Sequence, residues 1–368
     1  MPTLSVIVPA FREAANLPEL AARLLTAVSG LPHEVELIVV DDDSDDGTAE
    51  VCEQLAEVFP LRLITRKNER GLATAVIAGL KEARGDYCVV MDADLSHPPE
   101  AVPHLLEPLQ KSAADFVIGS RYVAGGSIDE SWSLRRHLNS RIATLLAAGL
   151  TRARDPMAGF FAFRRSCLVR APVLNPCGYK IGLEILVRCR CAHVVEVPIC
   201  FQDRKHGHSK LTLREQWLYL RHLSRLYRFR YPELFRIAAF GAVGASGLML
   251  DVFSFQWLIP IAGLAVGRAM AIWMAMSWNF ELNRRITFSE TTGAGVPAQY
   301  LRYCASCLVG AALSWSTSLT LIRSSEILQR HTSLVVVAGA GVAAVVNYML
   351  CRVWVFRRRW SWPRASVR

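Results

Sequence analysis

The residues best suited to chemistry lie in the stretch Val89-Val90-Met91-Asp92-Ala93-Asp94-Leu95-Ser96-His97-Pro98-Pro99. Three apolar residues in a row read as the end of a buried parallel strand. Asp92 and Asp94 follow, separated by one small residue. Carboxylates at the C-terminal edge of a parallel strand stand where open α/β sheets bind their ligands. Oxygen donors of this kind suit Mg²⁺ or Mn²⁺, which usually complete their shells with phosphate oxygens. The expectation is a metal–diphosphate site rather than an acidic surface turn. His97, His206 and His208 are not expected to bind metal.

Strands and helices must carry these carboxylates to a shared edge, and the first half of the chain alternates between the two. Leu4 to Val8 reads as a strand, followed by an amphipathic helix over 16–28. Glu36 to Val40 is a second strand, ending in the acidic run Asp41-Asp42-Asp43-Ser44-Asp45-Asp46-Gly47-Thr48. Thr48 is expected to cap the next helix. Leu61 to Thr65 is a third strand, 71–83 a helix, and Tyr87 to Met91 the strand that delivers Asp92. Phe116 to Arg121 adds a strand with a cationic exit. This alternation predicts a doubly wound parallel sheet of the α/β class. Acidic groups then gather after the second and fourth strands, at one edge.

The chain changes character near Tyr231. Beyond it lie 13 Lys+Arg against 5 Asp+Glu, whereas the first 230 residues hold 29 against 27. The formal +10 of the 368-residue chain therefore belongs mainly to its apolar part. That pattern suits a membrane domain with basic ends better than a nucleic-acid binder, and no nucleic-acid partner is expected. Four apolar spans, near 236–258, 262–283, 300–322 and 332–356, approach or exceed the length that crosses a bilayer. The second and fourth end alike: Asn279, Leu282, Arg284 and Phe288 answer Asn347, Leu350, Arg352 and Phe356, so the domain reads as a duplicated helix pair. Basic residues cluster at one predicted side, which places both termini and the first domain in the cytoplasm. Consistent with this, the N-terminus enters a strand without a signal-peptide pattern. Asp251 and Arg268 are expected to approach each other across the first hairpin. Two further segments, 132–150 and 213–229, interleave Arg with Trp and Leu at helical spacing and suit a bilayer interface. The ten scattered cysteines imply reduced thiols, and the Cys304–Cys307 pair reads as one face of a membrane helix.

Residues 3–230 resemble glycosyltransferase family 2, in particular the dolichol- or polyprenol-phosphate mannosyltransferases. The motifs are Val8-Pro9-Ala10-Phe11-Arg12-Glu13, Val39 to Thr48, Met91 to Pro98, Gly119-Ser120-Arg121-Tyr122, Asp155-Pro156-Met157-Ala158-Gly159-Phe160, Gly178-Tyr179-Lys180, and Asp203-Arg204 with Gly207 to Leu211. Residues 236–356 resemble the GtrA-like four-helix membrane family. The resemblance implies a Rossmann-like (GT-A) nucleotide-sugar domain over 1–212, an interface helix at 213–230 and a transmembrane domain over 231–368. It also implies that Pro9, Phe11, Glu13, Val40 and Asp42 hold base and ribose. Asp92, Ala93 and Asp94 would meet the sugar diphosphate, with Asp94 and Ser96 on Mg²⁺ or Mn²⁺. Arg121, Arg135, Lys180, Arg204 and Lys210 would bind phosphates of donor or acceptor. Phe11 stands where Tyr is common and Ala158 where Ser is usual.

The implied reaction is an inverting transfer of mannose from GDP-mannose, the favoured nucleotide-sugar donor, to dolichyl or polyprenyl phosphate at the cytoplasmic face of a lipid bilayer. An acceptor phosphate is already an anion, so placement and charge compensation are the main demands. The alternatives are the same reaction with UDP-glucose or another activated sugar, and non-catalytic binding or translocation of a lipid-linked sugar. The paired aspartates with Arg204 and Lys210 favour an enzyme.

Overall fold

A strand buried on both faces needs a near-continuous apolar run; Leu-Ser-Val-Ile-Val supplies it in β1 (Thr3–Ala10). The computed structural model describes residues 3–128, 134–171, 173–175, 178, 180–202, 213–289, 295–324 and 332–357. The chain divides into two units, Met1–Arg230 and Tyr231–Arg368.

In the first unit β1 is followed by α1 (Leu17–Val28), β2 (Glu34–Asp41), α2 (Thr48–Ala56), β3 (Leu61–Thr65), α3 (Leu72–Glu82) and β4 (Tyr87–Val90). Then come α4 (Val102–Gln110), β5 (Phe116–Ser120), β6 (Ser127–Ile128), α5 (Leu134–Ala147), β7 (Phe161–Arg164), α6 (Ile181–Arg188), β8 (Val194–Pro198), β9 (Cys200–Phe201) and α7 (Leu213–Arg230). The main sheet has seven strands in the order β3-β2-β1-β4-β7-β5-β8. Alternate residues separate its faces: Val6, Val8, Leu37, Val39 and Val89 pack under α1 and α4. Ile7, Ile38, Val40 and Val90 pack with α3 and α6 on the other side.

Two sequence expectations are corrected. The sheet is not wholly parallel, because β7 pairs antiparallel with both β4 and β5. Its four residues Phe-Ala-Phe-Arg are too short and uniform to stand out by periodicity. They fit because Phe161 and Phe163 stack with Phe116 on one face while Ala162 packs on the other. Thr48 is not the cap of α2: Gly47, at φ 88°, takes that place. The Thr48 hydroxyl instead donates to Asp46 Oδ1 at 2.6 Å and accepts the Glu13 N–H at 3.2 Å, tying two loops together.

The basic amphipathic helix α7 uses one face to close the first unit's core. Leu223 and Leu226 are buried with α6, and its Tyr219 and Tyr227 hydroxyls donate to Ala143 O and Leu146 O of the α5 region. Trp217 and Leu220 lie exposed on the other face.

In the second unit the four expected spans form three helical elements: α8 (Pro232–Leu282), α9 (Val296–Ser324) and α10 (Thr332–Leu350). Among the described residues three helices, Pro232–Thr287, Val296–Ser324 and Val337–Val355, are long and apolar enough to cross a membrane. The first folds double at Gly263, whose φ of 74° no ordinary helical residue adopts. Arg268 Nη1 reaches Asp251 Oδ2 at 2.9 Å, although 17 residues of straight helix would separate them by about 25 Å. Each hairpin ends in a π-helical turn, Asn283–Thr287 and Cys351–Val355.

Candidate active site

Strands β1, β2, β4 and β5 point one way, so the loops after them open on a single edge of the sheet. The reversed β7 brings the loop before it, 155–160, to the same edge. That reversal is what lets residues far apart in sequence converge.

The acidic turn is built around Leu95, a buried residue held at φ 62°. A non-glycine residue there costs roughly 1–3 kcal/mol and persists only when its surroundings enforce it. Here they do. Asp94 Oδ1 accepts from the Ser96 main chain at 3.1 Å and its hydroxyl at 2.5 Å. His97 Nδ1 accepts the Asp92 main-chain N–H at 3.1 Å. The buried imidazole stacks on Phe160 (centroids 5.3 Å) and meets Phe201 edge-on. Burial holds His97 below its usual pKa against the pull of Asp92 and Asp94. The ring is therefore neutral at neutral pH and keeps the Nδ1 lone pair that this bond requires.

The 155–160 loop presses on that turn through Gly159. A Cβ there would stand 3.2 Å from His97 Cε1 and 3.4 Å from Asp92 Oδ2. Asp155, fully buried, accepts from Arg121 Nε and Nη2 at 2.8 Å each and from the Arg121 N–H at 3.1 Å. Arg121 thus turns its forked edge to a carboxylate of the protein. Lys180, at the start of α6, donates from Nζ to Met157 O at 2.9 Å. Burial, and then the Arg121 guanidinium, push Lys180 down to about 8 against the pull of Asp155 and Asp92. Asp92, Lys180, Arg121 and Asp155 form one cluster of two carboxylates and two cations.

On the β1–β2 side, Asp42 is nearly buried. Its Oδ1 accepts from Arg66 Nε at 2.8 Å and from Arg66 Nη2, and its Oδ2 accepts the Gly71 N–H at 2.8 Å. Phe11 lies 40% exposed, enough to offer a stacking face, with the Arg70 guanidinium 4.9 Å from its centroid. Glu13 Oε2 accepts from Asn16 at 2.6 Å. Pro9 ends β1 half-buried, and Ala93 is buried in the acidic turn. The Val40 side chain is wholly buried beneath the edge, so only its main chain can face a nucleotide.

The structure thus collects Asp92, Ala93, Asp94, Ser96, Arg121 and Lys180 on one side of the edge and Pro9, Phe11, Glu13, Val40 and Asp42 on the other. Arg204 and Lys210 lie outside the described residues, as does the side chain of Arg135 on α5. Three contributors carried no sequence signal strong enough to assign a role: His97, Asp155 and Arg66. His97 and Asp155 sit inside recognised motifs; Arg66 is an ordinary basic residue after a strand.

A divalent cation fits this chemistry. Among the described residues no three His, Cys, Asp or Glu side chains gather to hold a metal unaided. Asp94 and Ser96 set two hard oxygens side by side, and Mg²⁺ or Mn²⁺ commonly takes its remaining ligands from water and substrate phosphate.

Residues 5–170 match the model of glycosyl transferase family 2, and residues 239–356 that of the GtrA/DPMS transmembrane domain. A dolichol-phosphate mannosyltransferase of Pyrococcus furiosus is 38% identical over 355 residues, covering 95% of this chain and 98% of its own. Those of Mycosarcoma maydis and Saccharomyces cerevisiae are 45% and 42% identical over 240 and 236 residues. Each covers 62% of this chain, and 81% and 88% of its own length respectively.

Proposed function

The chain belongs to the dolichol-phosphate mannosyltransferases, and we propose that its Met1–Arg230 unit transfers mannose from GDP-mannose to dolichyl or polyprenyl phosphate, with inversion, at the cytoplasmic face of a membrane. The observation that carries the reading is the acidic turn Asp92-Ala93-Asp94, held by His97 and Ser96 beside Lys180 and the Arg121–Asp155 pair.

In this reading Phe11 stacks on the base, while Glu13, Asp42 and the main chain of Pro9 and Val40 bound the ribose pocket. Asp42 arrives already fixed by Arg66 and Gly71, so the pocket is preorganised. Asp94 and Ser96 would hold Mg²⁺ or Mn²⁺, which when bound would supply Lewis-acid compensation for charge on the diphosphate. An acceptor phosphate oxygen attacks the anomeric carbon from the face opposite the departing GDP. The new carbon–oxygen bond forms as the bond to the diphosphate breaks. No general base is needed, because the acceptor arrives as an anion. Lys180 supplies positive charge beside Asp92, Arg121 adds charge while Asp155 holds its fork, and Arg135, Arg204 and Lys210 complete the cationic set around donor and acceptor phosphates.

The test is transfer by purified full-length protein in detergent, with radiolabelled GDP-mannose or UDP-glucose and a polyprenyl phosphate. Label from GDP-mannose should reach the lipid fraction, chelator should stop it, and NMR should show a β-linked product from the α-linked donor. Faster transfer from UDP-glucose would overturn the donor assignment, and an α-linked product the inversion.

A further inference from the structure

The Tyr231–Arg368 unit is an internal pseudo-dimer, and one ion pair breaks its symmetry. Phe240 and Gly247 on the first arm of α8 correspond, 63 residues on, to Tyr303 and Gly310 on α9. Asn279, Phe280 and Phe288 correspond, 68 residues on, to Asn347, Tyr348 and Phe356. The contacts obey the same exchange. Phe240 packs on Tyr348 (centroids 5.4 Å) as Tyr303 packs on Phe280 (5.6 Å). Gly247 faces Asn279 as Gly310 faces Asn347. Phe288 and Phe356, each other's counterparts, stack at 4.8 Å on the pseudo-axis.

Applied to the ion pair, these offsets give Ser314 for Asp251 and Val336 for Arg268. Among the described residues the second hairpin shows no ion pair at the corresponding place. It closes instead on small residues, where a Cβ on Gly339 would meet Ser318 Oγ and Ser314 O. The counterpart hairpin carries Ser and Val at these two positions, so two charges in an apolar span, where they are costly, call for a reason beyond closing a hairpin.

The pair is also arranged to leave hydrogen-bonding capacity unspent. Arg268 binds both Asp251 oxygens through Nη1 alone, at 3.0 and 2.9 Å. Among the described residues its Nε and Nη2 have no hydrogen-bond partner. Phe255 covers one face of the guanidinium at 5.1 Å. Asp251 thus fixes the group and lowers the local net charge, while the Nε/Nη2 fork remains, the geometry that grips a phosphate by two parallel bonds. Arg268 is 45% exposed at its side chain and shares a helix face with the exposed Leu264 and Ile272. A ligand reaching that fork comes from the lipid. Arg268 stands five residues past the bend at Gly263, and its guanidinium reaches back along the preceding arm to Asp251 and Phe255.

We propose that Asp251 and Arg268 form a docking site for the phosphate of a membrane lipid, at the end of the unit marked by the Gly263 bend. The inference rests on neither the donor nor the stereochemistry proposed above.

The test labels full-length protein, in a phosphate-free maltoside detergent, with a short isoprenyl phosphate bearing a diazirine on its first isoprene unit; the matching alcohol is the control. Labelled peptides are mapped by mass spectrometry. The phosphate probe should mark residues 248–272 and the alcohol should not. The double variant Asp251→Ser with Arg268→Val, which borrows the second hairpin's residues, should lose that label about tenfold, the scale of one charge-assisted hydrogen bond. Arg268→Lys, keeping charge without a fork, should also lose label, and an unchanged circular-dichroism spectrum and gel-filtration profile would report a folded protein. Excess phosphatidylglycerol that displaces the probe would identify a general lipid-phosphate site, and failure to displace it a site for polyprenyl phosphate. Labelling that the alcohol matches, that survives the double substitution, or that inorganic phosphate displaces as readily as lipid would overturn the proposal. No readout of the site depends on sugar, so its failure is separable from failure of the transferase reading.

Discussion

The Asp92 main-chain N–H donates to His97 Nδ1 at 3.1 Å, so a buried neutral histidine, and not a metal ligand, sets the path of the acidic turn. The same ring is packed between Phe160 and Phe201, which arrive from opposite ends of the unit's second half. Under the proposed function His97 is a positioning residue, acting on the diphosphate through Asp92.

His97→Asn places an amide oxygen near the position of Nδ1 and should keep the acceptor. Activity is expected to stay within about tenfold of wild type. His97→Leu keeps volume but removes the acceptor, and a misplacement of about 1 Å at a reacting centre can cost 10²-fold. Steady-state kinetics on both variants, with donor binding measured separately, checks this. Equal activities for Asn and Leu would reduce His97 to packing.

Asp94→Asn preserves the shape of the turn and its bonds to Ser96 but removes the charge. The expected loss is at least about a hundredfold, beyond the 10–100-fold seen when groups one layer behind a metal are changed. Titrating Mg²⁺ and Mn²⁺ against wild type and variant measures it. Wild-type turnover persisting in chelator would count against a metal at this turn.

Lys180 gives the site an alkaline limit. Its pKa of about 8 lies below its ordinary 10.5, so between those values the unfolded chain binds a proton that the folded chain does not. Stability from this group therefore rises with pH across that window. The ammonium beside Asp92 is lost across the same window, so activity should fall by up to about tenfold per pH unit above 8. The two trends run in opposite directions, which separates loss of charge from unfolding. Lys180→Met should lower the rate and flatten the alkaline limb. A limb unchanged in that variant would assign it to another group.

Much of this site was legible because strand ends announce themselves. Val89-Val90-Met91 before Asp92, and Leu37 to Val40 before Asp41, read as buried strands leading into acid, and both strands stand in the sheet. What escaped depends on contacts between distant segments. The reversal of β7 rests on the Phe116–Phe161–Phe163 stack, which no local pattern encodes. Arg121 reads as a phosphate-binding fork until Asp155, 34 residues away, is seen to occupy it. The Asp251–Arg268 approach was readable, since only a turn between two apolar spans and helical geometry were needed.

The last prediction concerns where the catalytic unit ends. The contact boundary falls between Arg230 and Tyr231, after α7 rather than before it. Leu226 is fully buried and Leu223 nearly so, and His222 Nε2 stands 3.2 Å from Glu184 Oε2 at the α6–α7 contact. Burying each leucine contributes roughly 1.5–3 kcal/mol. A chain ending at Arg230 should therefore fold, bind GDP and unfold in urea as one cooperative unit. A chain ending at residue 212 should lose at least about 3 kcal/mol, or about 6–12 °C in Tm at the scale for domains of this size. The longer chain also keeps Trp217 and Leu220 exposed beside Arg221 and Arg225, so it should bind anionic vesicles and release them as salt rises. The shorter chain should not bind. Equal urea midpoints for the two chains would mean that α7 contributes nothing to the fold of the catalytic unit. Vesicle binding by the shorter chain would place the membrane-facing surface elsewhere, with α5 as the next helix to test.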